Sequence, residues 1–248
     1  MINRVSRIGV VTLFCALVVS TVFAQSLPPL VNVVTVHVKS GMRPEFEALQ
    51  REATVARREA GITARYAYRV ARGGSANEYI FVTPVEGLAE FDRPGGMAQA
   101  MGEVAWTQWV ARIEKCTENR RVDTLRLRDD LSIPLAEGRT PTLIRLRRVE
   151  LLPGGGQEYQ AWLTENWVPA MRNAGMNGVY HYQDAFGLGQ RTWIRIESYD
   201  SWADLEGHPV SNSLTAEAFT EVLANNDQLT HGPEVQILRV LPELSILP

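Results

Sequence analysis

The sequence predicts an α+β protein built from two tandem ferredoxin-like β-α-β-β-α-β units packed sheet to sheet. Three observations carry this reading. First, two stretches of the chain match in a single order: Gly41 with Gly154, Glu45-Phe46 with Glu158-Tyr159, Ala60-Gly61 with Ala174-Gly175, Tyr66 and Tyr68 with Tyr180 and Tyr182, Tyr79 with Trp193, and Leu131-Ser132-Ile133 with Leu244-Ser245-Ile246. So long a period is a duplicated domain rather than a solenoid unit. Second, both stretches repeat one order of strand and helix signals. Third, such a unit covers only one face of its sheet with helices, and a second copy in the same chain can cover the other.

The elements follow in order. Val31 to Val38 is rich in β-branched residues and reads as a strand. Gly41 and Pro44 turn the chain into a helix that runs to Ala60 and stops at Gly61. Arg65 to Ala71 and Glu78 to Pro84 flank a loop of Gly, Ser and Asn and read as a hairpin. A helical stretch includes Ala98 to Lys115, and Val122 to Leu127 is the last strand. The second copy predicts strand 143–151, helix 157–173, strands 178–184 and 191–199, helix 211–224 and strand 234–240. The units are expected at 30–135 and 142–248, joined by the short polar linker Ala136 to Pro141.

Two segments carry a family resemblance. Val34-Thr35-Val36-His37-Val38-Lys39-Ser40-Gly41 leads into Pro44-Glu45-Phe46, and Trp193-Ile194-Arg195-Ile196-Glu197-Ser198-Tyr199-Asp200-Ser201-Trp202 forms a strand-to-helix passage. In these the chain resembles the dimeric α/β-barrel superfamily, in the branch of antibiotic-biosynthesis monooxygenase-like and NIPSNAP-like domains. The resemblance implies an intrachain α/β barrel, and it implies fold more than activity.

Period-two alternation sorts the strand residues by face. Ile194, Ile196, Val36, Val38, Val149 and Leu151 are assigned to the helix side. A hairpin closing Asp184 opposite Arg191 pairs Tyr182 with Trp193 and Tyr180 with Arg195; the same register pairs Tyr68 with Tyr79 and Tyr66 with Phe81. The expected inter-sheet space then holds Thr35, His37, Tyr66, Tyr68, Tyr79, Phe81, Arg148, Glu150, Tyr180, Tyr182, Trp193, Arg195 and Glu197. Of these, His37, Tyr66, Tyr68, Glu150, Tyr180, Tyr182, Trp193, Arg195 and Glu197 are the candidate ligand-binding residues. Aromatic walls with a few converging polar groups suit a small molecule. The same residues also suit a packed core, with Arg195 in a buried ion pair with Glu150 or Glu197. A slip of one residue would reverse any strand's assignment.

Composition narrows the function. With 25 basic against 28 acidic residues the chain lacks the basic excess of a nucleic-acid binder. Met1 to Ala24 reads as an export signal: Arg4 and Arg7, an apolar stretch from Ile8 to Val19, then Val22-Phe23-Ala24. The mature chain is expected to start near Gln25, to lack a membrane span, and to be periplasmic or extracellular. Only Cys116 then remains, so no internal disulfide can form. Phosphate-loop, dinucleotide, zinc and nucleophile-elbow motifs are missing, so no cofactor or metal is expected. His37, His181, His208 and His231 are scattered, and Glu206-Gly207-His208-Pro209 reads as a loop. Trp106, Trp109, Trp162 and Trp167 read as helix core.

Three functions fit. One is an exported protein that binds a small apolar or aromatic ligand. The second, allowed by the resemblance, is a cofactor-independent monooxygenase or isomerase with His37 or Glu150 as base. The third is a haem protein with His37 or His181 as axial ligand; the haem degraders' Asn, Trp and His set does not map onto this sequence. Oligomeric state is left open.

Overall fold

The computed structural model describes residues 28–92, 96–207, 210–211 and 214–247, and within the last helix not every side chain. Met1 to Ala24, read from the sequence as an export signal, and His208-Pro209 lie outside the described residues. Eight antiparallel strands close into one barrel, in the order β1-β3-β2-β8-β5-β7-β6-β4. They are β1 (Leu30–Val38), β2 (Tyr66–Arg72), β3 (Glu78–Val85), β4 (Thr117–Leu127), β5 (Leu143–Leu151), β6 (Val179–Phe186), β7 (Thr192–Tyr199) and β8 (Thr230–Val240). The helices are α1 (Arg43–Glu59), α2 (Gly96–Met101), α3 (Glu103–Cys116), α4 (Gly156–Trp162), α5 (Val168–Asn173), α6 (Trp202–Glu206) and α7 (Ala216–Asp227). None of the described helices is long and apolar enough to cross a membrane.

Around the barrel, β4-β1-β3-β2 from the first half are followed by β8-β5-β7-β6 from the second. The halves join edge to edge at two seams, with Tyr68 opposite Val240 and Leu127 opposite Tyr182. The structure agrees with the expected intrachain α/β barrel, but its two four-stranded sheets join at their edges rather than stacking as flat faces. Closure pairs both edges of each sheet, and the curvature it demands turns the uncovered faces into one lumen rather than a flat interface.

Helix ends follow the local chemistry. α1 and α5 stop at Gly61 and Gly175, with φ of 80° and 69°, which a residue with a Cβ resists. At both, the amide two residues past the cap bonds back into the last turn: Ile62 to Arg57 O and Met176 to Met171 O, each 3.0 Å. The single helix expected over Ala98–Lys115 is broken at Gly102, where φ is 77°. Between α4 and α5 a five-residue π-turn, Leu163–Trp167, turns Leu163 and Trp167 into the core.

Each half has its own core between sheet and helices. In the first, Phe46, Leu49 and Ala53 of α1 and Trp109 of α3 pack on Val36, Val38, Tyr79 and Phe81. In the second, Tyr159, Trp162, Leu163 and Trp167 pack on Val149, Leu151, Trp193 and Tyr199. The repeated Leu-Ser-Ile segments cross over. Leu131 is buried in the second core and Leu244 in the first. Ile133 bridges to Val179, and Ile246 to Arg65. The Ser132 hydroxyl accepts the His181 amide at 3.1 Å, and Ser245 accepts the Ala67 amide at 3.0 Å. Each half therefore contributes a segment to the other.

Candidate functional site

Alternation along the strands lines the lumen. β1 contributes Val31, Val33 and Thr35; β3 contributes Ile80, Val82 and Pro84; β5 contributes Ile144, Leu146 and Arg148; β7 contributes Ile194, Ile196 and Ser198. β2 and β6, on opposite sides of the barrel, contribute Tyr66 and Tyr68, and Tyr180 and Tyr182. The enclosed space is about 520 Å³, within the range of small-molecule pockets. Pro28, the linker residues Arg139, Thr140 and Pro141, and Leu247 border one end.

The four tyrosines reach toward one another across the lumen. Burial pushes the phenols of Tyr66, Tyr68 and Tyr182 up, and neighbouring tyrosines push them further. They therefore stay protonated at neutral pH and act as hydrogen-bonding groups, not as bases. The Tyr180 hydroxyl accepts the Leu135 amide at 3.0 Å, pinning the start of the linker. Among the described residues, the hydroxyls of Tyr66, Tyr68 and Tyr182 make no hydrogen bond within the protein.

The charged groups that border the lumen are paired. Asp123 is buried and sits 2.9 Å from Arg121, Arg148 is 3.1 Å from Glu234, and Arg139 is 3.0 Å from Asp200. His37 and Glu150 share the lumen-facing alternation but stand beyond the cavity. His37 is 3.1 Å from Glu78, and Glu150 is 3.3 Å from Arg191.

Trp193, Arg195 and Glu197 require a correction, as do Tyr79 and Phe81. All five lie on the helix side, and Ile194 and Ile196 face the lumen. The hairpin pairs Tyr182 with Ile194 and Tyr180 with Ile196, one residue off the expected register. The first half slips identically, pairing Tyr68 with Ile80 and Tyr66 with Val82. The cause in the second half is local. The Asp184 carboxylate does not face Arg191 but accepts the amides of Leu188 and Gly189 at 2.9 Å each, so it caps the loop. The ladder then ends at Gln183 and Trp193, and one residue of slip exchanges the faces of β7.

On the helix side these residues form a buried network. Arg195 Nε is 2.8 Å from Glu197 Oε1, and the Tyr199 hydroxyl donates to Glu197 Oε2 at 2.9 Å. The Arg195 guanidinium lies 4.6 Å from the Trp167 ring centre, and Trp193 meets Tyr159 edge-on. His181 is 1% exposed, and neither ring nitrogen has a hydrogen-bond partner. Burial, then Arg195, pushes it down to about 3, so it is neutral in the folded protein. The sequence reading left His181 outside its binding set; its place beside Arg195 follows only from the observed register, since the expected one set Tyr180 opposite Arg195. Neither His37 nor His181 borders the lumen, so neither can ligate a haem placed there.

No protein-family model matches the chain, and no curated protein sequence does. Solved structures share its fold. A candidate monooxygenase from Fusobacterium nucleatum subsp. nucleatum superposes with a TM-score of 0.61 at 15% identity, over 87% of this chain and 93% of that one. A candidate monooxygenase from Lactobacillus acidophilus gives 0.58 at 11%, over 86% and 94%. An anthrone oxidase-like protein gives 0.56 at 10%, over 86% and 91%. These neighbours belong to the dimeric α/β-barrel superfamily, and the likeness is one of fold.

Proposed function

We propose that this chain is an exported, internally duplicated ferredoxin-like protein that binds one small, uncharged, mostly apolar molecule in its barrel lumen. The observation that carries the reading is the lumen itself. It offers about 520 Å³ with mostly aliphatic walls, and among the described residues the hydroxyls of Tyr66, Tyr68 and Tyr182 make no hydrogen bond within the protein. Aliphatic walls favour apolar surface, and the hydroxyls favour one or two oxygen or nitrogen atoms on the guest. Because Asp123, Arg148 and Arg139 are already paired, a neutral guest suits the site better than an ion.

The oxygenase reading draws on the names of the structural neighbours, at 10% to 15% identity. It needs a base next to the substrate. His37 and Glu150, the two candidates, are engaged by Glu78 and Arg191 beyond the cavity, and the phenols of Tyr66, Tyr68 and Tyr182 stay protonated. Binding is therefore the better supported role. Export rests on the pattern of residues 1–24, and N-terminal sequencing of secreted material should start near Gln25.

The test is displacement of an environment-sensitive apolar fluorophore from purified protein by a panel of small phenols and ketones. Ile196→Trp should intrude into the lumen and weaken fluorophore binding while the melting transition stays cooperative. Tyr68→Phe should weaken oxygen-bearing competitors about tenfold, the weight of one hydrogen bond left unmade. Undiminished binding by a folded Ile196→Trp variant would place the guest elsewhere.

A further inference from the structure

A second site, independent of the lumen, emerges on the helix side of the second half. Three basic side chains form one row across neighbouring strands: His181 on β6 is opposite Arg195 on β7, and Arg195 is opposite Arg147 on β5. The adjacent row holds Glu197 opposite Arg145. Like charges placed directly opposite on adjacent strands repel, and more strongly when buried.

Glu197, the carboxylate of these two rows among the described residues, is shared with other partners. Glu197 Oε1 faces Arg195, and Oε2 takes the Tyr199 hydroxyl and lies 3.8 Å from Arg145. Among the described residues Arg147 has no ion-pair partner. Burial and the nearby Arg195 push its guanidinium down to about 10, still charged at neutral pH. Among the described residues, the two rows therefore hold three guanidiniums and the Glu197 carboxylate, with a neutral imidazole alongside. Between Arg147 and Arg195 lies a cavity of about 10 Å³, bounded also by Tyr159, Trp162, Trp167 and Asn226. That is room for about one water-sized body.

We propose that this cavity is a binding site for one small inorganic anion of halide size, held between Arg147 and Arg195. A water molecule would fit but would leave Arg147 without a counter-charge beside Arg195, whose own partner is Glu197, whereas a monoanion bridges the two guanidiniums and offsets their repulsion. The aromatic walls and the size of the cavity disfavour phosphate and sulfate.

The experiment uses the full chain exchanged into sodium gluconate, with chloride or bromide replacing gluconate at constant ionic strength. The melting temperature should rise by roughly 2–4 °C and saturate, as for a ligand that binds only the folded state. Crystals grown in bromide should show an anomalous peak between Arg147 and Arg195. Arg147→Met should fold and lose the halide dependence, and Arg147→Lys should keep part of it. A halide effect that persists unchanged in Arg147→Met is a general salt effect and overturns the proposal. So does bromide density missing from the cavity, a result that stands even if Arg147→Met fails to fold.

Discussion

At the same place in each half, beneath the helices, a row of three residues crosses three neighbouring strands. In the first half it is Ala67, Phe81 and Val34; in the second it is His181, Arg195 and Arg147. The surroundings diverge accordingly. Phe81 packs with Phe46 and Tyr79, and the Arg65 guanidinium lies over its ring at 4.0 Å. Arg65 is satisfied by the Leu244 carbonyl and the Gln50 side chain, both at 3.2 Å. The second half instead buries Arg195 and Glu197, at 5% and 0% exposure. One backbone topology thus carries an apolar and an ionic filling. The fold is held by the closed ladder and by the exchanged Leu-Ser-Ile segments, which leaves this surface free to differ. A buried ion pair seldom adds net stability over an apolar filling, so its presence in one half points to chemistry rather than to folding.

The strongest way to break the comparison is to transplant the filling. Arg195→Phe, the residue of the first half, should cost about 3–5 kcal/mol in denaturant unfolding, because the buried Glu197 loses the guanidinium 2.8 Å away. Adding Glu197→Thr, to match Thr83, should recover most of that loss. If the double variant is no better than the single, the ion pair is not the reason for the difference.

Next comes the exchanged leucine, which should matter equally in both halves. Leu131→Ala and Leu244→Ala should each cost about 2–5 kcal/mol, since both side chains are buried in the core of the opposite half. A large loss for one and a small loss for the other in thermal melting would show that the two segments do not play matching parts.

The smallest expected effect is in acid. The unfolded chain protonates His181 near its ordinary value of 6.5, whereas the folded state resists protonation down to about 3. The unfolded state therefore binds more protons in this window, and stability falls as pH drops from about 6.5 toward 3. By pH 5 the loss is about 2 kcal/mol from this group. His181→Ala, matching Ala67, should flatten that limb in pH-dependent unfolding curves. An unchanged limb would mean that His181 is not the group responsible.

Much of the architecture was legible in the chain. The strand positions, the helix stops at Gly61 and Gly175, and the inward tyrosines all follow from local composition and period, and each was placed within a few residues. The repeat of Leu-Ser-Ile was visible as a match, but not its role, because an exchange between halves leaves no local signature. The expected stacking of sheets gave way to closure at two edges for a similar reason: which strand edge meets which is a contact between distant residues.

By itself the sequence determined the alternation of each strand and the kinds of residues that would share its faces. Tertiary structure alone decided which face was which. Trp193, Arg195 and Glu197 form one set and Ile194 and Ile196 another under either register, and the choice between them turned on a single residue. That choice was made by Asp184 capping its loop and by the geometry of the closed barrel. In β7 the aliphatic side chains face the lumen, while Trp193, Arg195 and Glu197 pack beneath the helices. A period of two is symmetric with respect to inside and outside, and only packing against the rest of the molecule removes that symmetry.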